Sequence, residues 1–498
     1  MKLVTPQRAP MRYLGLLVLP VLVFVGSGLD LSAHERARQR PPNFVFILAD
    51  DLGWRDLGCY GSSFYETPRL DALAASGMRF TSAYAACPVC SPTRSSIQSG
   101  KYPARTHNTD YFGGPQPQEA ALQPKFKHRR LLPAAYLERL ALEETTIAEA
   151  LQQAGYATFF AGKWHLGPEG YWPEQQGYDA NMGGNTAGLP KSYFSPYQNP
   201  TLSDGPPLEH LDLRLAKATA AFIGEHRESP FFACFCLYDV HLPLQTTDRL
   251  RRKYRAKAKR AASAGPRFGS EGQRDVRLVQ DHAVFAGMVE TMDAAVGIVL
   301  DALEDAGVAD NTIVVFTSDN GGLSTAEGAP TSNVPLRAGK GWMYEGGIRV
   351  PLIVRAPGVT QPAAQCDTYI SSVDYYPTLL ELAGQAPPAG QLLDGKSFVP
   401  LLRGDENYER GPIYWHYPHY GNQGGQPAAA IRDGDWKLIT FLEDGRSELY
   451  NLASDLSEKH DLAAQEPQRV ATMREQLAAW QGAVGAPAPS PNPRFKGP

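Results

Sequence analysis

Cysteine is scarce in this chain, with only six among 498 residues. The six stand at positions 59, 87, 90, 234, 236 and 366. So few thiols in a chain of this length do not make a dense disulfide framework. Cys234 and Cys236 lie two apart in an apolar run, so both face one side of a strand, which favours packing over bridging. If Cys90 is chemically modified, at least one of the other thiols stays unpaired within the chain.

A surplus of positive charge is also missing. The chain has 48 Lys and Arg against 52 Asp and Glu, which gives a net charge of -4. This balance argues against a nucleic-acid binder that relies on bulk charge, so we expect no nucleic-acid partner. An anionic substrate must then be met by local cations. The apolar fraction of 43% and the charged fraction of 20% are typical of soluble globular proteins.

Long, uncharged apolar runs are confined to the N-terminus. The run from Tyr13 to Leu29 is almost wholly apolar, follows a basic start that includes Lys2 and Arg8, and leads into small residues. This pattern predicts a signal peptide over residues 1–33 and an exported protein, periplasmic or secreted. A retained anchor is the alternative, because the run is near the lower limit for spanning a bilayer. After cleavage we expect no stable membrane insertion.

Among the residues that are present, Cys90-Ser91-Pro92-Thr93-Arg94 is the most informative segment, a C-x-P-[ST]-R pattern. At average residue usage this pattern arises by chance in roughly one of several hundred chains of this length. A purely structural interpretation is a buried cysteine at a helix start, with Pro92 in the first turn and Ser91 as the cap. The same place also suits chemistry, because free N–H groups and the positive end of the helix dipole favour an oxyanion there.

Four apolar runs, each typical of a buried strand, end at polar residues. The runs and the polar residues after them are 43–49 with Asp50 and Asp51, 157–161 with Lys163 and His165, 231–237 with Asp239 and His241, and 312–317 with Asp319 and Asn320. Helical patterns over 67–76, 146–154 and 282–306 separate the runs, which predicts an α/β fold with a largely parallel sheet. Taken alone, any one of these polar sets is as consistent with a solvated loop as with a functional site. Together they predict one site, because ligands bind beyond the carboxyl ends of such strands.

A metal site is expected among these polar residues. Asp50, Asp51, Asp319 and Asn320 offer only oxygen donors, which suit a hard cation such as Ca²⁺ or Mg²⁺. Two adjacent carboxylates at the end of a buried strand repel each other, so one pKa rises or a cation is recruited. No His or Cys residues are grouped at zinc-binding spacing.

Several motifs together resemble the formylglycine-dependent, cysteine-type sulfatases of the alkaline-phosphatase superfamily, in particular bacterial sulfatases similar to arylsulfatase A. The resemblance extends from about Pro42 to about Leu462. The matching segments are Ile47-Leu-Ala-Asp-Asp-Leu-Gly-Trp54, Cys90-Ser-Pro-Thr-Arg94, Gly162-Lys-Trp-His-Leu-Gly167, Ser318-Asp-Asn-Gly-Gly322 and Gly339-Lys-Gly-Trp-Met-Tyr-Glu-Gly-Gly-Ile-Arg-Val-Pro351. The chain departs from the family pattern Pro-His-x-Pro at Val240, which precedes His241.

The resemblance implies a complete site. Asp50, Asp51, Asp319, Asn320 and modified Cys90 would bind one Ca²⁺, and the formylglycine at Cys90, made by a formylglycine-generating enzyme, would attack sulfur in its hydrated form. Arg94, Lys163 and Lys340 would hold the sulfate oxygens. His241, helped by Lys340, would protonate the leaving group, and His165 would take a proton from the second hydroxyl. Without the resemblance, a structural role for each histidine, as a hydrogen-bonded polar residue at a strand end, is as good an interpretation as a catalytic one.

The domain prediction follows the same pattern. We expect a catalytic domain over 42–383, a C-terminal α+β subdomain over 384–486 and a flexible tail over 487–498. The boundary rests on the Pro/Gly-rich segment 384–390. Short strand patterns near 413–451 and a final helix from about 467 to 483 predict, with the family likeness, a small antiparallel sheet with one helix.

The predicted substrate is a sulfated carbohydrate, with turnover of small aryl sulfates as a secondary activity. Two alternatives stay open: a phosphonate monoester or phosphodiester hydrolase of the same superfamily, and a catalytically silent glycan-binding homologue. We interpret the basic run 249–260 as a solvated helix surface rather than a glycan-binding site, because its charged residues are distributed around all sides of the helix. The sugar and the position of its sulfate do not follow from the sequence.

Overall fold

The computed structural model describes residues 1–7, 9–10, 40–261 and 265–497. The chain divides into two units, Met1–Gln39 and Arg40–Pro498, and all helices and strands of the described residues belong to the second. The apolar run of the predicted signal peptide lies outside the described residues.

The described residues form seventeen strands and twelve α-helices. Strands β1 to β17 are Asn43–Ala49, Met78–Tyr84, Leu131–Leu132, Ala157–Gly162, Ala180–Met182, Phe231–Cys236, Phe268–Glu271, Arg274–Arg277, Thr312–Ser318, Arg349–Arg355, Ala364–Cys366, Ile370–Ser371, Ile413–Tyr417, Ala428–Asp433, Trp436–Phe441, Ser447–Asn451 and Ser490–Pro491. Helices α1 to α12 are Pro68–Ser76, Cys90–Ser99, Pro103–Thr106, Pro117–Leu122, Ile147–Gln153, Leu211–Glu225, Asp248–Arg260, Ala283–Asp305, Glu345–Ile348, Tyr375–Leu382, Val399–Leu402 and Pro467–Val484.

A nine-stranded mixed sheet is the centre of the fold. Its order is β11-β2-β10-β9-β1-β6-β4-β5, with β12 also beside β2. The five strands β9, β1, β6, β4 and β5 are parallel, whereas β10 runs antiparallel to both of its neighbours. The carboxyl ends of four predicted strands therefore meet at one edge. The predicted α/β class is confirmed, and the antiparallel strand β10 is an addition that the sequence pattern did not reveal.

Helices cover both faces of this sheet, which explains why its central strands β9, β1 and β6 are buried at every position. In β1, Val45 and Ile47 pack with α6 and α8 on one face, while Phe44 and Phe46 pack with α5 and α10 on the other. Helix α8 is long and apolar enough to cross a membrane by length and composition, but 67% of its most apolar window is buried inside the fold. Helix α8 is therefore a core helix that packs against this sheet.

A second sheet follows near the C-terminus. Strands β13 to β16 form an antiparallel meander, as predicted for this part of the fold. Alternate residues of β14 face opposite sides: Ala429 and Ile431 pack on α12, whereas Ala430 packs against Tyr84 and Ile348 of the larger part. The last strand, β17, pairs with β3.

Candidate active site

Four loops bring the predicted polar residues to one place. They follow β1, β4, β6 and β9, which are neighbours in the sheet. The loops bury Asp50 and Asp51, Lys163 and His165, His241, and Asp319 and Asn320. Two of these residues, Asp51 with φ 61° and His165 with φ 56°, have left-handed backbone. Non-glycine residues rarely adopt this conformation, and it is commonly found at functional sites.

Cys90 lies at the start of α2, on the wall of a cavity of about 280 Å³. The residue before it, Val89, is extended and provides no side-chain cap. Ser91 is not the cap either: its Oγ accepts a hydrogen bond from Phe112 N at 3.1 Å and lies 3.2 Å from His165 Nδ1. The helix therefore begins beside the cavity, and no side chain of the described residues caps its first N–H groups, which favours an anion there.

Potential ligand atoms of Asp50, Asp51, Cys90 and His241 all lie within 4.8 Å of one another. The Oδ1 atoms of Asp50 and Asn320 are buried and have no hydrogen-bond partner among the described residues. Buried oxygens of this kind are costly unless something binds them. Together with Asp51 they offer an all-oxygen set, which fits a hard divalent cation. The residues present thus fit the predicted metal.

Each of the three aspartates also pairs with one buried cation. Lys163 Nζ lies 2.6 Å from Asp50 Oδ2 and Lys340 Nζ lies 2.7 Å from Asp51 Oδ2. Arg94 donates from Nε to Asp319 Oδ2 at 2.8 Å. Lys340 lines the cavity, whereas Arg94 and Lys163 do not. All three cations that were expected to hold the sulfate oxygens are therefore paired with carboxylates here, and Lys340 is the one of them that also lines the cavity.

Burial and these cations act in opposite directions on the carboxylates. Burial raises the pKa of Asp50 well above its ordinary value, only partly offset by Lys163, and Asp51 and Asp319 raise it further. Burial would also raise the pKa of Asp51, but Lys340 and His241 lower it below its ordinary value. Adjacent carboxylates thus differ because their partners differ. Asp51 is held ionised and is ready to bind a cation.

Both predicted histidines are neutral in this environment. His241 Nδ1 lies 3.1 Å from the carbonyl oxygen of Leu242, so it donates there and leaves Nε2 to accept from Lys340 Nζ at 3.1 Å. Burial, and then the charge of Lys340, lowers the pKa of His241 to about 3. Burial and Lys163 lower the pKa of His165 well below its ordinary value. His165 Nε2 donates to the carbonyl oxygen of Phe112 at 3.1 Å.

Several residues around the cavity were missed by the sequence analysis. Tyr111 and Phe112 come from the segment between α3 and α4, Glu327 lies farther along the loop after β9, and Asn422 and Gln423 come from the C-terminal part of the chain. The one available signal is the glycine-rich segment 421–425. Glycine is required at position 425, because a Cβ there would lie 1.8 Å from the carbonyl oxygen of Gly341. Such close backbone approach brings this segment to the site.

Comparison with known proteins agrees with this geometry. Residues 42–385 match the Sulfatase family model, and residues 338–482 match the model described as N-sulphoglucosamine sulphohydrolase, C-terminal. A sulfatase of Formosa agariphila is 32% identical, with 94% of this chain and 92% of that protein covered. Human arylsulfatase A is 33% identical, with coverage of 81% and 76%.

A solved structure supports the same assignment. The crystal structure of Ps i-CgsB in complex with k-i-k-neocarrahexaose superposes with a TM-score of 0.72 at 27% identity, and 92% of this chain and 95% of that chain are covered. The family model spans well over half of the chain. The similarity to the two sulfatases named above covers most of this chain and most of each relative. The chain is an enzyme that belongs to the sulfatase family.

Proposed function

We propose that this sulfatase removes sulfate from a sulfated carbohydrate, with a formylglycine made from Cys90 and one bound Ca²⁺. The observation that carries the proposal is the position of Cys90, at a helix start on the cavity wall and within 4.8 Å of carboxylate oxygens of Asp50 and Asp51. The carbohydrate is supported by a structural neighbour that holds a carrahexaose. The C-terminal match to an amino-sugar sulfatase model supports it as well.

In this proposal Asp50, Asp51, Asp319 and Asn320 would hold the cation, which would supply positive charge for the sulfate group. The hydrated formylglycine would supply the nucleophile. Arg94 and Lys163 act by holding the Asp319 and Asp50 carboxylates in place at 2.8 and 2.6 Å. These contacts order the site before substrate arrives, so little reorganisation is needed in the transition state.

Proton transfer falls to the residues on the cavity wall. Lys340 and His241 share a proton across 3.1 Å, and because Asp51 raises the pKa of Lys340 against the effect of burial, the proton rests on Lys340 Nζ. The pair is placed to protonate a sugar oxygen as it leaves. His165 is neutral with Nδ1 toward Ser91 at 3.2 Å, so Nδ1 is the atom that would accept a proton from the second hydroxyl.

The test is mass spectrometry of the tryptic peptide Phe80–Arg94 after co-expression with a formylglycine-generating enzyme. We expect Cys90 as the aldehyde or its hydrate, and sulfate release from 4-methylumbelliferyl sulfate and from sulfated oligosaccharides. Cys87 lies in the same peptide and serves as an internal control, because it should remain a thiol that alkylates. A Cys90→Ala variant should lose at least a thousand-fold in kcat.

Two results would overturn the proposal. If Cys90 stays a thiol in a host that modifies a control sulfatase, the chain has no such nucleophile, and a glycan-binding role would explain the fold better. If the modified protein cleaves phosphodiesters several orders of magnitude faster than sulfate esters, the site serves phosphoryl chemistry instead. Both substrates are therefore assayed on the same preparation.

Export to the periplasm or medium is part of the proposal. It rests on the apolar run Tyr13 to Leu29 after a basic start. N-terminal sequencing of the protein recovered outside the cytoplasm should show a new start near residue 34. Full-length protein retained in the membrane fraction would support the anchor instead.

A further inference from the structure

A second, larger cavity lies next to the catalytic one. Its volume is about 560 Å³, within the usual range for ligand sites. The two cavities share a wall made of two short segments: Lys340 and Asn422 line the catalytic cavity, whereas Trp342 and Gly424 line the second. Positions two residues apart are separated by about 7 Å at most, so the two cavities are neighbours. We call the second one the arginine cavity.

Four arginines line the arginine cavity, and two of them have carboxylate partners. Arg337 forms two hydrogen bonds to Glu271, at 2.8 and 2.9 Å, and Arg446 pairs with Glu448. Within residues 40–261 and 265–497, Arg129 and Arg274 form no ion pair. The lining therefore carries a net positive charge, concentrated on the unpaired guanidinium groups of Arg129 and Arg274.

These two arginines are nevertheless held in place. Arg129 lies over the ring of Tyr420, 4.6 Å from its centre. Arg274, in the hairpin formed by β7 and β8, donates from Nη2 to the carbonyl oxygen of Asn422 at 2.9 Å. Asn422 also lines the catalytic cavity, so Arg274 bonds directly to the shared wall. A guanidinium that keeps free N–H groups is well suited to bind sulfate or carboxylate oxygens in pairs.

Part of the remaining wall is aromatic. Trp342 and Tyr344 are stacked, with ring centres 6.2 Å apart and planes 23° apart. Trp342 Nε1 donates to Thr325 Oγ1 and to the carbonyl oxygen of Gln423, both at 3.1 Å. Gly424 lets this ring approach, because a Cβ there would lie 2.5 Å from Trp342 Cζ2. A fixed aromatic wall beside free guanidinium groups suits the apolar face of a sugar that carries an anionic group.

We propose that the arginine cavity is an accessory subsite for a second anionic group, a sulfate ester or a carboxylate, on the same glycan whose sulfate ester lies at Cys90. The proposal rests on the proposed function, and it narrows the substrate to an oligosaccharide or polysaccharide with more than one anionic group. Arg129 and Arg274 bind that group, and Trp342 contacts the sugar that bears it.

The test compares a small and a large substrate on the same variants. Arg129→Gln, Arg274→Gln and the double variant are assayed with 4-methylumbelliferyl sulfate and with carrageenan and chondroitin sulfate oligosaccharides of two to six sugars. Each substitution should raise KM for the larger oligosaccharides by about ten-fold, the effect of one charged hydrogen bond, and leave the aryl sulfate unchanged. Arg403→Gln is the matched control, because this exposed arginine lines neither cavity.

Carrageenan oligosaccharides carry sulfate as their anionic group, while chondroitin sulfate also carries carboxylates. The oligosaccharide series whose KM rises in the variants therefore identifies the anionic group that the arginine cavity binds. Equal KM values for wild type and double variant on every oligosaccharide overturn the proposal, as does an equal loss on the aryl sulfate. Calorimetric binding of the same oligosaccharides to Cys90→Ala, with and without the two Arg→Gln changes, decides the case if no glycan is turned over. Absent turnover of every sulfate ester would instead contradict the proposed function.

Discussion

A buried lysine links the C-terminal sheet to the catalytic part, and its removal should be costly. Lys437 in β15 is fully buried, and its Nζ donates to Glu345 Oε1 at 2.9 Å and to Glu458 Oε1 at 2.8 Å. Glu345 begins α9, five residues after Lys340. The backbone N–H of Glu345 also donates to Glu458 Oε2 at 2.7 Å. Lys437→Met would leave two carboxylates facing each other without the ammonium group between them.

The two carboxylates would respond differently to that loss. Glu345 keeps Arg349 Nη1 at 3.2 Å, and its pKa is lowered by Lys437 and Arg349 against the effect of burial. Burial already raises the pKa of Glu458, so it relieves the repulsion by taking up a proton. Breaking a buried pair by removing one partner costs about 3–5 kcal/mol. Because Glu458 can be neutralised, we expect about 3 kcal/mol near pH 6 and more at pH 8.

Thermal unfolding measures this effect. For roughly 460 residues in the unit from Arg40 to Pro498, an unfolding entropy of about 1 kcal/mol per kelvin converts 3–5 kcal/mol into a fall in Tm of about 3–5 °C. Lys459→Met, at an exposed site, should change Tm little. Adding Glu458→Gln to Lys437→Met should recover part of the loss. A fall below 1 °C, or a double variant no more stable than the single one, would refute the reasoning.

Three further predictions concern the site and its support. Chelation with EDTA should abolish sulfate release and lower Tm, and Ca²⁺ should restore both, because a bound cation stabilises the folded chain; full activity after exhaustive chelation would contradict the metal site. Burial raises the pKa of Asp56 to about 7, so its contribution to stability is complete below about pH 4 and is lost as pH rises through 7. Wild type should therefore lose roughly 1.4 kcal/mol per pH unit relative to Asp56→Asn between pH 5 and 7 in melting experiments, and a constant difference would contradict the assignment. Gly162→Ala should lower both Tm and kcat, because its Cβ would lie 1.8 Å from the carbonyl oxygen of Cys236, whereas Gly155→Ala, also at positive φ but with nothing within 4 Å, should cost only backbone strain.

The strand ends were predictable because a strand that is buried on both faces appears in the sequence as a nearly continuous apolar run. Residues 44–49 are apolar at every position and belong to β1, which begins at Asn43, and 312–317 falls within β9. Since parallel strands point their carboxyl ends the same way, Asp50 and Asp319 were expected at the same edge of the sheet, and the pairing of β1 with β9 brings them together. Strand β10 gave no such signal, because its direction depends on its antiparallel partners, which local sequence does not reveal.

The cavity walls were less predictable for a different reason. Asn422 and Gln423 approach Lys340 because Gly341 and Gly425 allow two backbones to pass in contact, which is a property of tertiary packing. The same limit applies to Arg94 and Lys163. Their positions along the chain place them at the site, but only the folded structure shows their charged groups bonded to Asp319 and Asp50.

The pairing of charges explains how one small buried site can hold three carboxylates. Each carboxylate has a cation at 2.6 to 2.8 Å, so the cluster carries no large net charge. Arg94 and Lys163 are not among the residues that line the cavity, and their pairs order the carboxylates that a divalent cation would need. Lys340 differs because it lines the cavity and also contacts His241. In the proposed function the three cations therefore have different roles: Arg94 and Lys163 would hold the carboxylates that bind the metal, and Lys340 would meet the substrate and its departing oxygen.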